Sequence, residues 1–361
     1  MVALLLTLPL FQLQAQQPVA NDSKPVALED FVVTSERVPV AASSAASPLC
    51  RRRQRDRCPP CGLHYQSRAP LVHRPPLARW LVRPLIALFF FLPGLLQAQT
   101  GLLVVAHGAD SGWNARVRET VAQVHWNGPV ATAFLMGSDA ATQGWNTGVD
   151  SLIAKGARRL VVVPLMVSTY GGHVRQIEFY AGVRDSLPAA LMGHEHGTHE
   201  EVPVPVTVTG ALDAAPELRA ALEARWHELN EADRKRPILL VAHGPNDSID
   251  AAHWLANLGA AGQALAASAR ADARVMLLRD DAPADVRAAA VAAMRDTVMV
   301  LSRRAADSVV VMPVMISSGT ITKVKIPHDL TGLPIRYHPR PLAPLPMLAR
   351  WIERQGLGAR D

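Results

Sequence analysis

The chain has 361 residues, 49% of them apolar and 5% aromatic, enough for two domains with buried cores. Its net charge of +6 is unevenly spread. Residues 1–100 hold 11 of the 37 Lys and Arg and 5 of the 31 Asp and Glu, so the 26 of each sign that follow cancel. A neutral, aromatic-poor body offers no footprint for nucleic acid. All three cysteines (Cys50, Cys58, Cys61) lie in the same first hundred residues, so the body folds by burial and not by disulfides.

Residues 1–99 read as a mostly disordered leader with two signal-like segments, 1–16 and 74–99. The first is an apolar stretch ending in Gln14-Ala15-Gln16, with no cation before it. The second places Arg74, Arg79 and Arg83 ahead of an apolar run and closes on Leu96-Gln97-Ala98-Gln99, the order of an export signal. The run is too short and interrupted for a membrane span. Membrane contact is therefore expected only through the signal segment. Cys58-Pro59-Pro60-Cys61 has redox or metal spacing but lacks a second pair and a βαβ setting. Between the signals, Leu28-Glu29-Asp30-Phe31-Val32-Val33-Thr34-Ser35-Glu36-Arg37-Val38-Pro39 resembles the mature start of TonB-dependent outer-membrane receptors, although no series of ten-residue alternating strands follows. The leader thus reads as the start of one exported protein joined to the export signal of another. The protein is expected to be periplasmic or exported, or cytoplasmic if the leader is not native.

From residue 100 the pattern is α/β, with short β-branched runs alternating with helical stretches. Strands are expected over 102–106, 130–135, 160–165 and 202–208, then over 238–242, 274–278, 309–315 and 334–337. Helices are expected over 114–124, 149–157, 214–229, 251–267 and 285–303, with Ser248 and Asp250 as caps of the fourth. Phrases recur in order. Val104-Val105-Ala106-His107-Gly108 returns as Leu240-Val241-Ala242-His243-Gly244, and Pro164-Leu165-Met166-Val167-Ser168 as Pro313-Val314-Met315-Ile316-Ser317. Pro216-Glu217-Leu218 and Pro346-Met347-Leu348 each open the last helix of a half. The expected fold is two tandem half-units, 100–230 and 237–358, each a parallel four-stranded sheet flanked by helices, joined by a polar linker over 231–236.

Ligands of open parallel sheets bind beyond the carboxyl ends of the strands. His107 follows the first strand, and His173 lies in the loop after the third, so both fall on one rim. Gly108, Gly171 and Gly172 would let the backbone approach a bulky ligand closely. The second half places Thr322 where His173 stands, which leaves His243 as a relic or an interface residue. His194-Glu195-His196-Gly197-Thr198-His199-Glu200 reads either as a solvated loop or as a weak metal-acquisition segment. There is no Gly-x-Ser-x-Gly elbow, which excludes an α/β-hydrolase, and neither Gly-x-Gly-x-x-Gly after the first strand nor a P-loop, so no nucleotide is expected.

Ala106-His107-Gly108 followed by Val161-Val162-Val163-Pro164-Leu165-Met166 and Gly171-Gly172-His173-Val174-Arg175 resembles the sirohydrochlorin cobaltochelatases of the CbiX type, class II chelatases in a long, duplicated form. The resemblance spans about residues 101–355. It implies that His107 and His173 bind an incoming divalent metal and accept pyrrole protons. The metal is a substrate, Co²⁺ first, with Fe²⁺ and Ni²⁺ equally accepted by imidazole. The other substrate is a tetrapyrrole rich in carboxylates, for which Arg175 and Arg116 are candidate partners. The alternative is a non-catalytic periplasmic carrier of metal or tetrapyrrole linked to TonB-dependent uptake. Four stretches depart from the family pattern. Ala109-Asp110 replaces the usual Ser-Arg, Gln176-Ile177-Glu178-Phe179 stands where an acidic pair is common, and Ala215-Pro216 and Leu345-Pro346 stand for His-Pro.

Overall fold

A computed structural model of the protein describes residues 99–187, 191 and 201–359. The two signal-like segments, the cysteine pair, the receptor-like stretch and His194, His196 and His199 lie outside the described residues.

Two four-stranded sheets, parallel throughout, carry the fold. The first comprises β1 (Gln99–Ala106), β2 (Val130–Phe134), β3 (Ala157–Pro164) and β4 (Val206–Val208) in the order β2-β1-β3-β4. The second comprises β5 (Ile238–Ala242), β6 (Ala273–Leu277), β7 (Val309–Val314) and β8 (Ile335–Tyr337) in the order β6-β5-β7-β8. All eight expected strands are present. The fourth is shortened to three residues because Pro203 and Pro205 have no N–H to give a ladder, and Pro205 only accepts, from Leu160 N at 2.9 Å.

The helices are α1 (Ser111–Val121), α2 (Trp145–Ala154), α3 (Gly172–Tyr180), α4 (Pro216–His227), α5 (Ser248–Ala269), α6 (Ala284–Ala305), α7 (Ile326–Asp329) and α8 (Pro346–Gly358), with a wide π turn (Ile321–Lys325) leading into α7. The sequence reading missed α3 and α7. It also misplaced the cap of α5. Asp247, in extended backbone, accepts from Ile249 N at 2.8 Å and Asp250 N at 2.9 Å, so Ser248 is already helical and the Asp250 carboxylate is left for another partner. The polar linker is partly ordered around buried Asp233, which accepts from Arg236 at 2.5 Å and lies 3.1 Å from the His338 ring nitrogen.

Every residue from Leu102 to Ala106 is buried, because helices cover both faces of the sheet. Leu102, Val104, Ala106, Val161 and Val163 on one face share a continuous core with Leu240, Ala242, Val310 and Met312 of the second sheet, filled by Leu218 and Leu222 of α4, Leu258 and Leu265 of α5, and Leu348, Trp351 and Ile352 of α8. The opposite face of each sheet has its own core, with Val149, Leu152 and Ile177 in the first half and Met294, Val298 and Leu301 in the second. At roughly 1.5–3 kcal/mol per fully buried aliphatic side chain, the shared core ties the half-units together.

The duplication extends to individual hydrogen bonds. Met136 N donates to His107 O at 2.9 Å and Arg279 N to His243 O at 2.6 Å. Asp213 N donates to Val167 O at 3.0 Å and Ala343 N to Ile316 O at 2.8 Å. These pairs fix which positions of the two halves are equivalent. Among the described residues, no helix is long and apolar enough to cross a membrane.

Candidate metal centre

His107 stands directly beyond β1 and His173 in the first turn of α3, not in a loop as its flanking glycines suggested. The two imidazoles meet edge to face, with ring centroids 4.7 Å apart and planes at 88°. Trp113 lies 6.4 Å from the His107 ring. His107 Nδ1 lies 2.7 Å from Gly108 O, and since a carbonyl only accepts, Nδ1 carries the proton and Nε2 the lone pair. His173 Nδ1 lies 3.2 Å from Gln176 Oε1, and the Gln176 amide donates to Tyr180 Oη at 3.0 Å, so Oε1 faces the ring and Nδ1 donates. Both rings therefore have their basic nitrogen at Nε2, the form in which imidazole binds a metal. Burial pushes the His107 pKa below 6.5. Its bond to Gly108 and the charge of Asp281 oppose that shift, and His243 adds to it.

Each histidine is held by its own polar network. Asn114, fully buried on α1, accepts from Ala109 N at 3.0 Å and so fixes the turn after His107. Asp110 caps α1 by accepting from Trp113 N at 2.8 Å, which accounts for Ala109-Asp110 at this position. On the other side, the Asp213 carboxylate accepts from Ser168 Oγ at 3.0 Å, Thr169 N at 2.9 Å, Thr169 Oγ1 at 2.5 Å and Asn257 Nδ2 at 3.0 Å. Asn257 belongs to α5, so the second half-unit buttresses the loop that delivers His173. Tyr170 in that loop stacks on His253 of α5 at 3.9 Å and accepts from the Trp254 indole.

The glycines differ in what they do. Gly108 has φ +85°, and a Cβ there would lie 2.0 Å from Met136 O, so the fold itself demands glycine. Among the described residues, nothing lies within 4 Å of a Cβ at Gly171, whose backbone is extended, and a Cβ at Gly172 meets only Leu191, at 3.6 Å. Arg175 makes a two-point ion pair with Asp250 of α5, at 2.7 and 2.5 Å, one bond from each terminal nitrogen. Arg116 is exposed on α1. Thr322 is buried and bonds within its own turn to Ser318 and Gly319.

The second half brings a feature that the sequence reading did not weigh. His243 repeats the His107 arrangement, with Nδ1 2.8 Å from Gly244 O. Its Nε2 lies 3.4 Å from Asp281 Oδ2, and Asp280 adjoins them. By the matched hydrogen bonds, Asp280 and Asp281 occupy the places of Gly137 and Ser138. Among the described residues, one half thus carries two histidines without a carboxylate in the same cluster, and the other a histidine with two carboxylates. The shared Ala-His-Gly phrase could have led to this pair, had the residues after the second strand of each half been compared.

Residues 101–229 match the protein-family model CbiX. A search of curated proteins returned no match. Among solved structures, SirB from Bacillus subtilis with Fe³⁺ is 13% identical, with a TM-score of 0.50 over 72% of this chain and 95% of that one. The sirohydrochlorin chelatase SirB from Bacillus subtilis subspecies spizizenii in complex with cobalt is 12% identical with the same TM-score and coverage. At these identities the likeness is one of fold. It covers a larger share of this chain than the family match does.

Proposed function

We propose that the chain inserts a divalent metal into a sirohydrochlorin-like tetrapyrrole at His107 and His173, without a nucleotide. The observation that carries this reading is the pair of perpendicular imidazoles 4.7 Å apart, each with Nδ1 tied to an acceptor. Metallation exchanges two pyrrole protons for one M²⁺, so a site must both deliver the ion and take up protons. A neutral imidazole does either near neutral pH, and the lowered pKa of His107 keeps it neutral. The CbiX match over the first half-unit supports the reaction class. That SirB is a sirohydrochlorin chelatase whose structures hold Fe³⁺ and cobalt supports the tetrapyrrole and the metal class. We take Co²⁺ as the first choice, with Fe²⁺ and Ni²⁺ as alternatives that imidazole serves equally.

The two signal-like segments of the leader support a place outside the cytoplasm. Fractionation of native cells tests this, and recovery only with cytoplasmic markers would reject it. The chemistry is tested by mixing the full chain with sirohydrochlorin and Co²⁺ and following absorbance, beside His107→Ala and His173→Ala. Metallation well above the uncatalysed rate, reduced at least about 100-fold in either variant, is expected. Tetrapyrrole binding with no acceleration would instead make the chain a carrier.

A further inference from the structure

The residues after β6 present a cluster that the His107–His173 pair does not use. The imidazole of His243 and the carboxylates of Asp280 and Asp281 each offer a ligand atom within 4.8 Å of the other two. A transition ion about 2.1 Å from each of two adjacent ligands holds those atoms roughly 3–3.5 Å apart. His243 Nε2 and Asp281 Oδ2 are 3.4 Å apart, already at that spacing. The ring is oriented for the task, because its Nδ1 is committed to Gly244 O at 2.8 Å and the basic nitrogen faces Asp281. The Asp280 side chain is 5% exposed and held by Arg287 at 3.2 Å and by Lys325, so it backs the site and leaves Asp281 as the open carboxylate. Asp281 has 69% of its side chain exposed, which leaves room for the water ligands that a site with few protein donors needs.

The repeat gives this cluster its place. His243 is the duplicate of His107, at the carboxyl end of the equivalent strand. His243 follows β5 as His107 follows β1, each at the carboxyl-end rim of its sheet. We propose that His243 and Asp281, backed by Asp280, form a second divalent-cation site on the rim of the second sheet, separate from the histidine pair. In the metal class it takes, it rests on the reading above. One imidazole with one open carboxylate suits a borderline divalent ion bound weakly, in exchange with solvent.

The probe is Co²⁺ alone, added to the metal-free full chain, with bound metal counted by equilibrium dialysis and followed by its visible d–d absorption. The H243A/D281N double variant is expected to bind one Co²⁺ fewer per chain than the parent. D281N alone, at an exposed position where unfolding is not at issue, is expected to weaken one binding step at least tenfold. Any metal taken up by residues 194–200 is common to all variants and cancels in the difference. A parent-like count and affinity in both variants would overturn the proposal. The H107A/H173A variant separates the two claims. If it retains the full metal count, the reading of the histidine pair fails, while the loss in H243A/D281N still stands or falls by itself.

Discussion

Arg175 lies two residues beyond His173 on α3, and its guanidinium grips Asp250 of the opposite half-unit through two bonds of 2.7 and 2.5 Å. Asp250 has 6% of its side chain exposed and Arg175 34%. The pair therefore fixes the helix bearing His173 onto the second half-unit, and Arg175 braces that helix from behind. Arg175→Ala strands a buried carboxylate. Discounted for the exposure of Arg175, the expected destabilisation is about 1–3 kcal/mol. Chemical denaturation measures it. Arg175→Met with Asp250→Leu, which removes both charges, is expected to recover most of the loss. A single variant as stable as the parent would show that the pair does not join the halves.

The lowered pKa of His107 has a definite sign in pH dependence. Burial disfavours the charged ring in the folded state, so below the ordinary value of 6.5 the unfolded chain binds a proton that the folded chain refuses. Stability is unaffected above that value. It falls as pH drops from 6.5 towards the lowered folded pKa and is then level. Co²⁺ binding at this site is correspondingly expected to persist below pH 6.5. Urea denaturation of the metal-free chain between pH 7.5 and 5 tests the first point. His107→Ala should flatten part of the acid slope, and identical slopes in the two proteins would refute the assignment.

Gly108 and Gly171 make a discriminating pair. Gly108→Ala forces a side chain to φ +85° and 2.0 Å from Met136 O, so a loss of at least about 2 kcal/mol is expected. Among the described residues, Gly171→Ala meets nothing within 4 Å in extended backbone, and its stability should stay within about 0.5 kcal/mol of the parent. Slower metallation in Gly171→Ala at unchanged stability would show that the space beside it is ligand space. Equal melting temperatures for the two variants would contradict the geometry.

The duplicated half-units and their strands were legible in the sequence because strands buried on both faces read as unbroken apolar runs. The placement of His107 and His173 on one rim followed from parallel topology alone. Helix α3 was not legible. Gly171-Gly172 reads as loop, no side chain caps the helix, and only its packing through Val174, Ile177 and Tyr180 reveals it. The contacts between the halves were equally hidden. Neither Tyr170 against His253 nor Arg175 with Asp250 leaves a local pattern, since each joins residues more than seventy positions apart. Asp281 went unnoticed for a related reason, because exposed aspartates after a strand are ordinary until a histidine is found beside them.

Gln176 was visible only as a departure from an acidic residue, yet it sets the orientation of His173. Its side chain is fully buried, receives the His173 Nδ1 proton at 3.2 Å and donates to Tyr180 at 3.0 Å. Gln176→Leu keeps the volume and removes the acceptor, leaving the imidazole free to turn and to change tautomer. Co²⁺ affinity at the histidine pair is expected to fall about 10–100-fold, the usual effect of losing such a partner, with a stability loss of about 1 kcal/mol. A general packing defect would give the stability loss without selective weakening of metal binding. Gln176→Glu supplies the decisive control, because a carboxylate oxygen accepts the same proton. It should restore much of the affinity that Gln176→Leu loses. Failure of that rescue, with the fold intact, would mean that Gln176 packs beneath the site without orienting His173.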